Sequence, residues 1–274
     1  MIDEILPGSV SCAEAFADPP DGRLFPQEMA IVAKAVDKRR REFTTARNCA
    51  RTALSTLGVP PAAILTGERG APQWPPGIVG SITHCAGYRA AAVARSDTIA
   101  TVGVDAEPNE TLPDLVLEAV SVAAERDMLA SLMARWPGVC WDRLLFSAKE
   151  SVYKAWFPHA RRWLGFADAE ITVNPADGTF QARLLVPGPV LNGLPLTGFT
   201  GRWLAGNGLV LTAIAMPVTW GQGLTPTPAS TYAGPGGRSG TAAIPPRHER
   251  ASASPGGTIG QVPKNDRSSS RVWL

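Results

Sequence analysis

The run Thr101-Val-Gly-Val-Asp-Ala-Glu107-Pro108 constrains this chain more than any other segment. It is β-rich, and Pro108 closes it because proline cannot donate to a strand ladder. Residues two apart on a strand share a face, so Asp105 and Glu107 point the same way. Trp141 to Phe157 is the complementary constraint: Leu145, Ala148, Val152 and Ala155 recur at core-facing helical spacing. Glu150 and Lys154 are i,i+4 neighbours on another face of that helix, with Lys149 adjoining Glu150.

Together these segments supply three carboxylates and two lysines. Converging carboxylates suit a hard divalent cation such as Mg2+, which takes oxygen ligands and usually holds substrate phosphates as well. Lysines beside such a cation read as anchors for phosphate oxygens. The set therefore points to chemistry on a phosphate or pyrophosphate. Taken singly, each motif has a plainer reading: an acidic strand end, and a Glu–Lys pair on a helix surface.

The 274 residues are 45% hydrophobic and 18% charged, ordinary for a globular chain of one large or two small domains. No apolar run is long enough to span a bilayer, and Met1-Ile-Asp-Glu4 lacks the basic start of a signal peptide. A cytoplasmic protein is expected. Cys12, Cys49, Cys85 and Cys140 are scattered without zinc spacing, so reduced structural thiols are expected. A Cys85–His84 nucleophile is set aside, since adjacent strand side chains diverge. A Ser/His/Asp hydrolase lacks its Gly-x-Ser-x-Gly elbow.

The net charge of +2 is too small to argue for nucleic acid. From Gly221 onward six basic side chains face two acidic ones, whereas residues 1–220 hold twenty basic and twenty-two acidic. The basic pI thus belongs to the last segment. Residues 221–274 are rich in Gly, Pro, Ser and Thr, bury little, and are expected to be a disordered tail.

Pro26 to Leu57 reads as mainly helical with a break near Asp37. Val79–His84, Tyr88–Arg95 and Thr101–Glu107 read as consecutive antiparallel strands, the last two joined as a hairpin by Ser96-Asp97-Thr98. Helical pattern returns over Leu112–Trp136 and Trp141–Phe157. Strands follow near Ala169–Asn174, Phe180–Val186, Phe199–Leu204 and Leu209–Met216. Helices followed by antiparallel strands, twice over, argue an α+β protein. The expected division is 1–108, 109–220 and the tail.

The stretch Lys38-Arg-Arg-Arg-Glu-Phe-Thr-Thr-Ala-Arg47-Asn-Cys-Ala-Arg51 carries a core stripe of Phe43, Ala46, Ala50, Leu54 and, further on, Leu57. Its arginines read as a solvated helix face, a nucleic-acid patch, or guanidinium forks for phosphate oxygens.

In chain order the sequence holds Gly80-Ser-Ile-Thr-His84, Gly103-Val-Asp-Ala-Glu107 and Phe146-Ser-Ala-Lys-Glu-Ser-Val-Tyr-Lys-Ala-Trp156. This ordered triplet resembles the 4'-phosphopantetheinyl transferases, in the single-chain type that activates surfactin and enterobactin synthetases, actinobacterial branch. The resemblance covers roughly residues 5 to 218. It implies two similar subdomains related by a pseudo-twofold, each a small antiparallel sheet with packed helices, in a monomer built as a pseudodimer. The site would lie between them.

The resemblance also implies residue roles. Asp105, Glu107 and Glu150 would hold Mg2+. Asp105, Glu150 and Lys154 would be catalytic, with Glu150 as ligand, general base or both. Arg39, Arg47, Arg51, Arg69, Thr83, His84, Lys149 and Lys154 would contact coenzyme A. The loop Gly67-Glu-Arg-Gly70-Ala-Pro-Gln-Trp-Pro75 would cradle the adenine, although Ala71 stands where many members carry lysine. The implied partner is an acidic acyl or peptidyl carrier protein of secondary metabolism (siderophore, polyketide or nonribosomal peptide synthesis), docking near Leu112–Trp136. No nucleic acid or membrane partner is expected. Two rival functions use the same residues: a metal-dependent phosphohydrolase of coenzyme A or nucleotides, and a non-catalytic coenzyme A binding module.

Overall fold

The computed structural model describes residues 1–191 and 193–219. The expected tail, 221–274, lies outside the described residues. Within them the protein is α+β, as the sequence pattern requires.

In the first half a short 3-10 turn, Ile2–Ile5, precedes β1 (Ser11–Ala15), α1 (Pro26–Ile31) and α2 (Asp37–Thr56). The helical break at Asp37 is where the sequence placed it. A small ladder of β2 (Leu65–Thr66) and β3 (Pro72–Gln73) leads to β4 (Ile78–Cys85), β5 (Tyr88–Arg95) and β6 (Ile99–Pro108). The second half holds α3 (Val116–Val120), α4 (Ala123–Arg135), α5 (Trp141–Ala160), β7 (Ala169–Asn174) and β8 (Thr179–Leu184). The short pair β9 (Val190–Leu191) and β10 (Leu194–Pro195) follows, then β11 (Gly198–Gly206) and β12 (Leu209–Pro217).

The expected hairpin between β5 and β6 does not form. Both edges of β5 are taken, one by β4 and the other by β1, a strand the sequence reading missed; the sheet order is β1-β5-β4. β6 instead pairs antiparallel with β12, at the edge of the five-stranded sheet β6-β12-β11-β8-β7. An antiparallel sheet of the second half therefore has a strand supplied from before residue 109.

Side-chain hydroxyls join the two sheets where a ladder would otherwise run. Val104 N donates to Ser81 Oγ at 3.1 Å, and Ala106 N to Thr83 Oγ1 at 3.0 Å. Buried backbone donors must be satisfied, and two β4 side chains satisfy these.

Each sheet carries a 20-residue helix. The stripe Phe43, Ala46, Ala50 and Leu54 of α2 is buried, most of it against Ile78, Ile82, Ala91 and Val93. The opposite face of β5 (Tyr88, Ala90, Ala92, Ala94) packs on Val102, Val104, Leu211 and Ala213. Helix α5 is buried nearly all round, with Leu145, Ala148, Val152 and Ala155 fully inaccessible. Side chains the size of Leu145 and Val152 contribute about 1.5–3 kcal/mol each when taken from water. The helix runs one turn past the expected Phe157, through Pro158, which forgoes the bond to the Lys154 carbonyl.

Candidate active site

One glycine sets how closely α5 approaches β6. A Cβ at Gly103 would overlap Ser151 O and lie 2.9 Å from Ala155 N. Thr101 Oγ1 donates to Ala155 O at 2.8 Å, and the Ser147 and Ser151 hydroxyls meet Thr212 of β12 at 2.9 and 2.7 Å. These contacts fix the helix over the strand and bring Lys154 to Asp105. Lys154 Nζ donates to Asp105 Oδ1 at 2.8 Å and to Val104 O at 3.0 Å. Thr83 Oγ1 donates to the same Asp105 oxygen at 3.3 Å. Asp105 Oδ2 is buried and has no hydrogen-bond partner.

Glu150 lies one turn before Lys154 and is 7% exposed. The plainer reading, a surface Glu–Lys pair, therefore fails: both side chains are interior. Burial, with Asp105 and Glu107 adding negative charge and Lys154 opposing, pushes the Glu150 carboxyl up to about 8. Burial and then Asp105 push Glu107 up to about 7, against the opposing pull of Arg143 and Lys154. Glu150 and Glu107 thus share the low-dielectric surroundings of Asp105, whose negative charge disfavours theirs.

Among the described residues no group of three or more His, Cys, Asp or Glu side chains stands at metal-holding distances. The donor chemistry nevertheless fits a hard cation: all three candidate ligands are oxygen donors, one buried oxygen is unpartnered, and the mutual repulsion is of the kind a divalent ion relieves.

The expected coenzyme A contacts divide. Arg39 and His84 meet, with Arg39 Nη1 and His84 Nε2 3.0 Å apart; arginine can only donate, so that ring nitrogen accepts. Arg47 is buried, stacks 4.2 Å above Phe43, and donates from Nε to Ile64 O at 2.9 Å and from Nη2 to Thr66 Oγ1 at 3.4 Å. Desolvation lowers its guanidinium to about 10. Arg69, exposed on the Gly67–Pro75 loop at φ 53°, lies 5.7 Å over the Trp163 ring.

Three others already have partners within the fold. Arg51 binds both oxygens of the fully buried Glu28 at 2.8 and 2.9 Å, with Asn48 Oδ1 at 2.8 Å. Lys149 directs all three donors at protein: Glu125 Oε2 at 2.8 Å, Phe166 O at 2.6 Å and Ala169 O at 3.0 Å. Thr83 serves Asp105 and the Ala106 amide.

Sequence reasoning missed three features. Arg143 donates to Glu107 Oε2 at 3.1 Å; its signal was the seven-residue spacing to Glu150, two turns of one helix face. A small cavity of about 20 Å³ beside Glu150 is lined by Lys149, Tyr153, Trp163, Leu164 and Phe166. Tyr153 Oη is buried and unpartnered. Local spacing carries no sign of that cavity, because its wall folds back from residues 163–169.

Cys85 sits near these carboxylates, and burial above all pushes its thiol up to about 12, which suits a structural thiol. All four cysteines are free. Among the described residues no helix is long and apolar enough to cross a membrane.

An α+β chain with a strand-end Asp-x-Glu set against a helical Lys-Glu-x-x-x-Lys defines a recognisable class. Residues 27–94 match the family model of the 4'-phosphopantetheinyl transferase N-terminal domain, and residues 101–191 that of the 4'-phosphopantetheinyl transferase superfamily. The chain belongs to the 4'-phosphopantetheinyl transferase family. It is 58% identical to the 4'-phosphopantetheinyl transferase Svp of Streptomyces mobaraensis over 219 residues, 79% of this chain and 89% of that one. It is 50% identical to PptT of Mycobacterium tuberculosis, covering 79% and 98% of the two chains, and 52% identical to Npt of Nocardia iowensis, covering 78% and 99%.

Proposed function

We propose that this enzyme moves the 4'-phosphopantetheine arm of coenzyme A to a serine of an acyl or peptidyl carrier protein. The serine oxygen forms a bond to the phosphorus that bears pantetheine. The bridging P–O bond of the pyrophosphate breaks, and 3',5'-ADP leaves with that oxygen. The observation that carries this reading is the buried Asp105–Lys154 pair, with Asp105 Oδ2 unpartnered and Glu150 one helical turn away.

Asp105, Glu107 and Glu150 would hold Mg2+, which when bound neutralises pyrophosphate charge and orients it. Glu150 takes the serine proton: its raised affinity for protons places it near neutral pH, where a general base is most effective. Lys154 fixes Asp105 and stabilises the leaving phosphate oxygen. Arg39, His84 and Arg47 face the nucleotide phosphates, and Arg69 the adenine side. Tyr153, whose Oη is buried and unpartnered, lines the small cavity beside Glu150 and would offer the pantetheine arm a polar partner there. We read the two helix-and-sheet halves as the related subdomains implied by the motifs.

The test is chromatography of nucleotide products with and without an apo carrier protein. 3',5'-ADP that forms only when carrier and Mg2+ are both present supports transfer. Equal release without carrier would instead identify a phosphohydrolase, and no release at all a binding module.

A further inference from the structure

The chain leaving β6 is held by a side chain outside all three sequence motifs. Arg143 lies in the first turn of α5. Its Nη1 donates to Glu107 Oε2 at 3.1 Å, its Nε to Glu110 O at 2.9 Å and its Nη2 to Thr111 O at 3.0 Å. Its neighbours complete the attachment. Leu112 N donates to Asp142 Oδ2 at 2.8 Å, Cys140 N to Asn109 Oδ1 at 2.8 Å, and Asn109 Nδ2 to Gly138 O at 3.1 Å. Six hydrogen bonds thus tie residues 107–112 to residues 138–143, directly after the acidic strand end.

Resting on the reading above, we propose that Arg143 is a positioning residue whose guanidinium fork fixes Glu107, so that this carboxylate faces the same space as Asp105 and Glu150. A guanidinium presents its N–H donors in one rigid plane, whereas the donors of an ammonium rotate at the end of a flexible stem. It engages one oxygen of Glu107 and leaves Oε1 for another partner. Groups that orient a metal-binding carboxylate, without touching the metal, commonly matter 10–100-fold in affinity or activity.

Two effects of Arg143 oppose each other. Its charge repels a nearby cation, while its fork orders the carboxylate that would bind one. Arg143→Lys keeps the charge and removes the fork, so it isolates the second effect. Arg143→Met removes both.

The experiment titrates Mn2+ into the coenzyme A-free protein, followed by electron paramagnetic resonance, and measures the Mg2+ concentration for half-maximal transfer. The wild type, both variants and Asp105→Asn are compared, each checked for folding by its melt. We expect Arg143→Lys to weaken both constants roughly tenfold, with the coenzyme A KM at saturating Mg2+ within about twofold of wild type, since the guanidinium itself bonds only Glu107, Glu110 and Thr111. Constants for Arg143→Lys equal to wild type, or tighter Mn2+ binding by Arg143→Met, would overturn the proposal, since either means that Arg143 acts only through charge. If Asp105→Asn binds Mn2+ as the wild type does, the metal reading itself fails, and the inference about Arg143 falls with it.

Discussion

Lys154 Nζ stands 2.8 Å from Asp105 Oδ1, an ion pair in which neither side chain is more than 7% exposed. Lys154 is also the cation that opposes the upward push on the Glu150 carboxyl. Taking one partner from a buried pair leaves charge uncompensated and commonly destabilises by about 3–5 kcal/mol. Lys154→Met should therefore lower the melting temperature in EDTA, recover part of it in Mg2+, and reduce kcat by roughly a hundredfold or more. Thermal melts with and without Mg2+, beside steady-state kinetics, check this; unchanged stability would contradict it.

Arg47 and Arg51 are one helical turn apart yet should behave differently. Arg47 has Nη1 without a protein partner among the described residues, so Arg47→Ala should raise the coenzyme A KM far more than it lowers kcat. Arg51 is bound to Glu28, which is 0% exposed. Arg51→Ala should cost about 3–5 kcal/mol of stability, while the KM measured below the new melting temperature stays within about twofold. A reversed pattern would exchange their roles.

Much of the site was legible because it depends on short spacings. Asp105 and Glu107 share a face by strand geometry, and Glu150 and Lys154 by helix geometry, wherever those elements go. The occupancy of Arg51 by Glu28 rests on a contact 23 residues away, and Lys149 meets Ala169 across 20. No local pattern encodes such contacts, so the sequence reading did not anticipate these protein partners. The partner of β6 was misread for the same reason. Its hairpin with β5 is the nearest choice in sequence, but β1 takes that edge, and β12 arrives a hundred residues later.

The metal-free protein should lose stability as pH rises. Glu150 is raised from 4.5 to about 8 and Glu107 from 4.5 to about 7, so the folded state holds both protons more tightly than the unfolded chain. Their contribution is complete below the unfolded value and is lost as pH climbs through the two folded values. In EDTA the melting temperature should fall between about pH 5 and pH 8, and Glu150→Gln should flatten that fall. A melting temperature that rises over this window would contradict the shared burial of these carboxylates.

Gly103→Ala tests how α5 is seated. The added methyl would overlap Ser151 O, which is backbone and cannot swing aside. Overpacking of this kind typically costs about 1–3 kcal/mol. Because the displaced helix carries Glu150 and Lys154, kcat should fall even in protein that remains folded. Activity equal to wild type would mean that the helix–strand approach is less critical than the geometry indicates.

The central claim is transfer itself, and intact-mass spectrometry of an apo carrier protein tests it most directly. The carrier is incubated with this enzyme, coenzyme A and Mg2+, beside reactions with EDTA, Asp105→Asn or Glu150→Gln. The account predicts that the carrier gains the mass of one 4'-phosphopantetheine with the wild type and Mg2+, and little or none in the other reactions. An unmodified carrier in the complete reaction, across several carriers and with coenzyme A consumed, would contradict it.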